Sequence, residues 1–527
     1  MATLLDRNTA VEADLERFPL LDEKQVGSMR HIGNLARQLK NDWSGMMGPT
    51  PFGSDFAAFR FQLAFMAFGL GLAHFHRLPA APGAFKNMFE RLIEKMRHPA
   101  VWHHWKDESR GGGLLNHEAG VTEGWADPVK KDNIMYSAYL QTMALMYNLL
   151  FDDDRYTQTN ALSLDYNPVL HYPLEGYHFN YDQNSLNDLI YWQMVESGYL
   201  GVACEPHCVF LACNQPPILG FRFNDLLTGG STAEEVTEGL VKAWKERGGF
   251  IDEVGSFKSV IRQHVNEVLP GMDVWSDGWT GTLMHAWNPE FVEEHYPRQR
   301  DRWLIRRQDG LLMVKMPDHL AHPDLTAGPM CAMGWMAMLA GEVGDMETVD
   351  GLLAYADAYM SPQWTKGGYH YLRVDEEYDA EGNLTVMNPA QSNAFIPFAR
   401  LNVPKGLHLL YTKPWTRAHF EEPALTEVDF PVDVWRAVYD ADNRALLFDL
   451  SLTEGARTGR IVVSRIQGLG DWALHRDGEI IAQGTDDGAV SIGGNPSLKA
   501  VSQGLELTID HADVRSYQIV WAGPAAA

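Results

Sequence analysis

The segment GVACEPHCVFLACNQPP, residues 201 to 217, gathers Cys204, Cys208 and Cys213 around Glu205 and His207. A thiol beside a carboxylate and an imidazole can pass protons or attack carbon. Zinc is a second chemistry for the same residues, since three thiols and His207 amount to four ligands. The spacing has no CxxC pair and no second ligand pair, so no metal is expected. Taken alone, the segment reads equally well as buried cysteines packing as small hydrophobes. With Cys331 the chain has four cysteines. Their clustering does not suit a disulfide framework and does suit free thiols in a reducing compartment.

Two further segments hold candidate pocket residues. In DNIMYSAYLQTMALMYNLL, Met135 and Tyr139 lie four apart and share one helical face. VWSDGWTGTLMHAWNPEF places Trp275, Trp279, His285 and Trp287 around Asp273 and Asp277. Aromatic density of this kind lines pockets for apolar or ring-shaped ligands and equally often fills a core. Asp273, Asp277 and Glu205 are also the candidates for a paired-carboxylate reaction on a carbohydrate, and a non-catalytic hydrophobic-ligand binder stays open as well.

These residues need elements to hold them. From about residue 28 to 405 apolar residues recur at three- and four-residue steps, as in MRHIGNLARQLK, FRFQLAFMAFGLGLAHF and TAEEVTEGLVKAWKERGG. That period predicts helices. Connections such as MMGPTPFGSD, SRGGGLLNHEAG and NQPPILG, and polar stretches such as YDQNSLN, read as loops. After Pro414 the pattern becomes alternating, in VWRAVYDADNRALLFDLSL, GRIVVSRI, WALHRDGEII and SYQIVWAG, which predicts antiparallel strands. The expectation is a mainly α protein with a 1–27 extension, a helical catalytic domain over 28–410 and a small accessory β-sandwich over 415–527.

The 43 Lys and Arg stand against 69 Asp and Glu in 527 residues, a net charge of −26 that repels nucleic acid and anionic membranes. The acidic N-terminal stretch does not read as a secretory signal, and the apolar window Phe61 to Phe75 is too short to span a bilayer. A cytoplasmic protein is expected, with association between identical chains left open.

DPVKKDNIMYSAYLQTMALMYNLL, then GVACEPHCVFLACN, then WTGTLMHAWNPEFVEEHYPR resemble the linalool dehydratase/isomerase family, with VWHHW and FRFQLAFMAFGLGLA in the same chain order. The resemblance implies an (α/α)6 barrel without metal or organic cofactor, acting on a small apolar or amphipathic substrate. The family's founding activity removes water from a tertiary allylic terpene alcohol, adds it back, and interconverts allylic isomers. Position by position, the family cysteines fall on Cys204 and Cys213 and its methionine on Met135. Its tyrosines fall on Trp275 and Phe61, its aspartate best fits Asp42, and the tyrosine after that becomes Gly48. Its catalytic-helix histidine falls on Tyr139, a clear departure.

Such a reaction needs a proton donor at oxygen and a base at the neighbouring carbon. The expected catalytic set is Cys204, Cys213 and Tyr139, with Asp42 as the first choice of base and Glu205 as the second. A phenol donates readily but is a poor base at neutral pH. Phe61, Met135, His207, Phe210, Trp275 and Trp279 are expected to hold the substrate, the aromatic faces stabilising allyl-cation character. A cyclisation or double-bond shift on a polyene needs the same parts.

Overall fold

Apolar repeats condense into helices up to residue 412 and alternating segments into strands from residue 424 onward, in a computed structural model. It describes residues 17–46, 58–168, 170, 174–314, 332–371, 377–378, 384–386, 391–486, 490–491, 497–502 and 504–522. Gly48 and Cys331 lie outside the described residues. In chain order the helices of six or more residues are α1 (Glu23–Ala36), α2 (Ala58–His76), α3 (Pro82–Met96), α4 (Ile134–Phe151), α5 (Gln183–Glu196), α6 (Pro216–Thr228), α7 (Thr232–Lys245), α8 (Val274–Met284), α9 (Pro289–Trp303), α10 (Ala332–Val343), α11 (Met346–Tyr359), α12 (Ile396–Leu401) and α13 (Gly406–Thr412).

The even-numbered helices to α12 form an inner layer. In α4 every residue except Leu149 is buried, which needs an all-round apolar sequence and explains why IMYSAYLQTMALMYNLLF has almost no polar face. The odd-numbered helices from α3 to α11 each bury one stripe, whereas α1 is buried on all sides from Val26 to Gly33. Thus α7 buries Ala233, Val236, Leu240 and Trp244, one stripe at steps of three and four, and exposes its glutamates and lysines. Inner helices touch in the sequence α8, α10, α12, α2, α4, α6. The seam between α6 and α8 is filled by the turn Ala212–Asn214, which contacts both. Inner helices approach closely through glycine: a Cβ on Gly278 of α8 would stand 2.6 Å from Trp335 Cβ of α10.

Beyond α13, two antiparallel sheets form. One orders Ala424–Val428, Gly459–Ser464, Gly504–Ile509 and Leu498–Val501; the other orders Val432–Asp440, Ala445–Leu452, Arg515–Trp521, Trp472–Arg476, Glu479–Gly484 and Val490–Ser491. Their buried residues are continuous with the helical core. On α1, Arg30 pairs with Asp433 at 2.5 Å and donates to the Val432 carbonyl, while Arg30 and Arg37 each stack 4.5 Å from the Phe430 ring.

Two local expectations change. YDQNSLN is not a loop throughout: Asp182 and Ser185 form a reciprocal capping box that starts α5 at Gln183. Asp22 and Gln25 do the same for α1, so that helix starts at Glu23, inside the expected 1–27 extension. The helical span also carries short antiparallel strand pairs, among them Cys208–Phe210 against Val260–Arg262, which are joined through α6 and α7.

Candidate active site

The segment with three cysteines is held by one amide. Asn214 accepts from the Val202 amide at 2.8 Å and donates to the carbonyls of Val202 at 3.0 Å and Phe210 at 2.8 Å. This side chain therefore acts as a strand-like partner for Val202 and draws the two ends of the loop together. It packs so closely on Gly201 that a Cβ there would meet its amide at 2.8 Å, and Gly201 adopts φ +123. Inside the clamp the chain turns tightly: the Cys204 amide donates to the Cys208 carbonyl at 2.8 Å and the Cys208 amide to the Glu205 carbonyl at 2.9 Å. His207 takes a left-handed φ of 68° in that turn.

The loop also anchors α4. The Asn133 amide donates to the Cys204 carbonyl at 2.9 Å, and Asp132 and Asn133 are both left-handed, at φ 55° and 53°. Two consecutive left-handed non-glycine residues are a strained entry to a helix. It places Met135, on the first turn of α4, with its sulfur 4.0 Å from the Cys213 thiol.

Cys204, Glu205, Cys213 and Met135 face a small cavity of about 10 Å³, room for about one water. Phe61, Phe210, Trp275 and Trp279 complete its wall. Pockets for drug-sized ligands usually measure ~300–1,000 Å³, so this one admits a ligand only when side chains of its wall move. Phe61 meets Trp279 edge to face at 5.1 Å, and Trp279 stacks on Trp335 at 5.2 Å. Tyr139, one turn after Met135, meets Phe61 edge to face at 5.8 Å; its hydroxyl is buried and has no partner among the described residues. Phe61, Met135 and Trp275 all stand in the first turn of an inner helix, so the cavity lies at the N-terminal ends of that layer.

Burial dominates the electrostatics. It pushes the Cys204 thiol well above its ordinary value, helped by the hydrogen bond with Cys213 and the nearby charge of Glu205. It raises the Glu205 carboxyl too, opposed by the positive charge of Arg60 and a hydrogen bond with Cys204. It raises the Tyr139 phenol well above 10, so that hydroxyl keeps its proton. Cys204 and Tyr139 thus keep their protons at neutral pH.

Asp42, the expected base, is not part of the cavity wall. Its carboxylate accepts from the Ser44 amide at 3.0 Å and hydroxyl at 2.6 Å, and these bonds hold it below the usual carboxylate range. Exposure and local turn bonding, which its sequence context did not announce, leave it without the raised pKa of a buried acid. His207 is exposed and faces His264 at 5.7 Å rather than the cavity. Asp273 caps α8. Asp277 is fully buried and accepts from Ser256, the Phe257 amide and Trp303, so its lone pairs are spent inside the fold. Among the described residues no group of three or more His, Cys, Asp or Glu side chains could hold a metal ion.

Two residues at the site were not singled out in the sequence. Arg60 is 5% exposed on α2 and its Nη1 donates to His104 Nε2 at 2.8 Å. Their signals were an arginine inside the apolar run FRFQLAFMAFGLGLA and the HH pair of VWHHW.

Inner and outer helical layers thus enclose a thiol pair in an aromatic-walled cavity. The linalool dehydratase/isomerase profile matches residues 60–377, and the chain belongs to that family. Solved structures with similarity include an α-1,6-mannanase from Salegentibacter sp. HEL1_6, at 12% identity over 73% of this chain and 100% of that one, TM-score 0.42. An unsaturated glucuronyl hydrolase from Bacillus sp. GL1 matches at 11% identity over 74% of this chain and 95% of that one, TM-score 0.39.

Proposed function

We propose that the protein is a cofactor-independent lyase or isomerase that adds or removes water, shifts a double bond or closes a ring on a small allylic alcohol or polyene of terpenoid type. The observation that carries this reading is the meeting of both thiols and Glu205 in one aromatic-walled cavity. Glu205, Cys204 and Cys213 act as one proton relay. A proton leaves the Glu205 end for the substrate oxygen, the C–O bond breaks and water departs. The neighbouring carbon loses a proton to the Cys213 end, and a thiol-to-thiol shift restores the relay. Trp279, Trp275 and Phe61 present π faces to the allylic cation. Tyr139, a phenol where the family has an imidazole, donates to oxygen and does not serve as base. The supporting architecture is an (α/α)6 barrel of six inner and six outer helices from Glu23 of α1 to about residue 410, with 415–527 an accessory β-sandwich, in a cytoplasmic protein.

The test is incubation with linalool, geraniol and myrcene in D2O with product analysis by gas chromatography and mass spectrometry. Dehydrated, hydrated or isomerised product carrying solvent deuterium is expected, unaffected by chelators and lost in Cys213→Ala. Turnover abolished by chelation and restored by zinc would overturn the reading. So would absence of both product and deuterium exchange across the panel.

A further inference from the structure

A second cavity, of about 390 Å³, lies where α1 and α3 face residues 428–434, the link between the first strands of the two β-sheets. It shares no wall residue with the cysteine cavity. Its volume falls within the ~300–1,000 Å³ of small-molecule sites. The depth is apolar: Val26, Met29, Leu78 and Phe85 are buried there, and Met88 and Phe430 half-buried. Helix and β segment meet through glycine, since a Cβ on Gly33 would stand 2.8 Å from the Phe430 ring and one on Gly83 2.6 Å from the Thr426 carbonyl carbon.

Positive charge gathers at the opening. Of the wall residues only Arg37 and Asn87 are exposed, so they mark the open side. Arg37 stacks 4.5 Å from the Phe430 ring, and Arg91 donates from Nε to the Asn87 side-chain oxygen at 2.8 Å. Neither Arg37 nor Arg91 forms an ion pair among the described residues. The other charges on the wall are already matched. Arg30 pairs with Asp433 and donates to the Phe430 and Val432 carbonyls. Asp429 accepts from the Arg460 amide at 3.0 Å and lies 4.0 Å from that residue's Nε. Burial, then the like charges of Arg91 and Arg30, hold the Arg37 guanidinium below its ordinary value. In a chain of net charge −26, two unmatched guanidiniums over an apolar pit are a local reversal of sign.

We propose that this cavity binds a single-chain amphiphile, its tail in the apolar depth and its anionic head at Arg37 and Arg91. Carboxylate and phosphate monoester share the required chemistry, since each accepts charge-assisted hydrogen bonds from planar guanidiniums. A ligand held here sits apart from the thiols and Glu205, so the site stands whatever reaction those groups perform.

Isothermal calorimetry with decanoate, decyl phosphate and 1-decanol, titrated into the full chain and into Arg37→Gln, Arg91→Gln and Met88→Trp, tests the site. Wild type is expected to bind at least one anion ~10-fold or more tightly than decanol, the size of one charge-assisted hydrogen bond. Decanoate ahead of decyl phosphate assigns a carboxylate head, and the reverse order a phosphate. Each arginine variant should weaken the preferred anion by ~3–10-fold while decanol changes by less than ~2-fold. Met88→Trp fills the cavity from α3 and should weaken all three probes by ~10-fold or more. Should Met88→Trp not fold, the two arginine variants decide, because neither side chain is part of the core. Anions bound no better than decanol, an anion preference that survives both arginine variants, or no binding of any probe overturns the site.

Discussion

Replacing Asn214 by alanine removes the clamp that brings Cys204 and Cys213 together. The wild-type amide is fully buried and makes three hydrogen bonds of 2.8, 3.0 and 2.8 Å to backbone groups. Each is worth ~1 kcal/mol net, and a group left unpaired in a dry interior costs ~1–3 kcal/mol. Three such losses sum to roughly 3–5 kcal/mol, at the upper end for a single substitution yet within the ~5–15 kcal/mol that holds a domain folded. Urea unfolding followed by circular dichroism measures it, and N-ethylmaleimide labelling with peptide mass spectrometry reports on the loop. Cys204 and Cys213 should alkylate at least ~10-fold faster in Asn214→Ala at urea concentrations where both proteins are folded. Asn214→Asp keeps the acceptor for Val202 but sets a carboxylate against two carbonyls. Its buried acid has a raised folded-state pKa, so its stability is highest below pH ~4 and falls as pH rises. A loss under ~1 kcal/mol for Asn214→Ala with unchanged alkylation would refute the clamp.

Tyr139→Phe removes a buried hydroxyl that has no partner, so urea unfolding should find it as stable as wild type or up to ~1 kcal/mol more so. Turnover should nonetheless fall ~100-fold or more, in kcat and kcat/KM together. Cys213→Ala should lose turnover by a similar factor while unfolding stays cooperative, as a calorimetric scan would report. Burial raises the Asp277 carboxyl to about 7, against an ordinary value near 3.8. Its folded-state pKa is above the unfolded one, so its contribution to stability falls as pH rises from about 4 to 7; Asp277→Asn should flatten that part of the pH profile. Gly278→Ala drives a methyl into Trp335, whose Cβ and backbone lie 2.6–2.8 Å from the new atom, and should cost ~1–3 kcal/mol in thermal unfolding.

Local pattern determined much of this protein. Period 3.6 placed α2, α4 and α7 near their observed ends, and alternation placed the strands of the second half, because each element answers to burial along its own few residues. The pairing of Cys204 with Cys213 and the place of Met135 and Trp275 beside them were legible through the resemblance to the linalool dehydratase/isomerase family, whereas residue type and spacing alone left these positions open between pocket and core. Capping boxes at Asp22 and Asp182 were legible in principle, since each is a contact three residues long, yet α1 and α5 began earlier than hydrophobicity alone suggested. What only tertiary structure decided are contacts between residues far apart in the chain. Met135 reaches Cys213 across 78 positions and Arg60 reaches His104 across 44. No local pattern encodes which carboxylate such contacts leave buried. Asp42 and Glu205 look alike in sequence. Packing put one in a turn with Ser44 and the other against two thiols, and that packing, not residue type, lowers the pKa of the first carboxyl and raises that of the second.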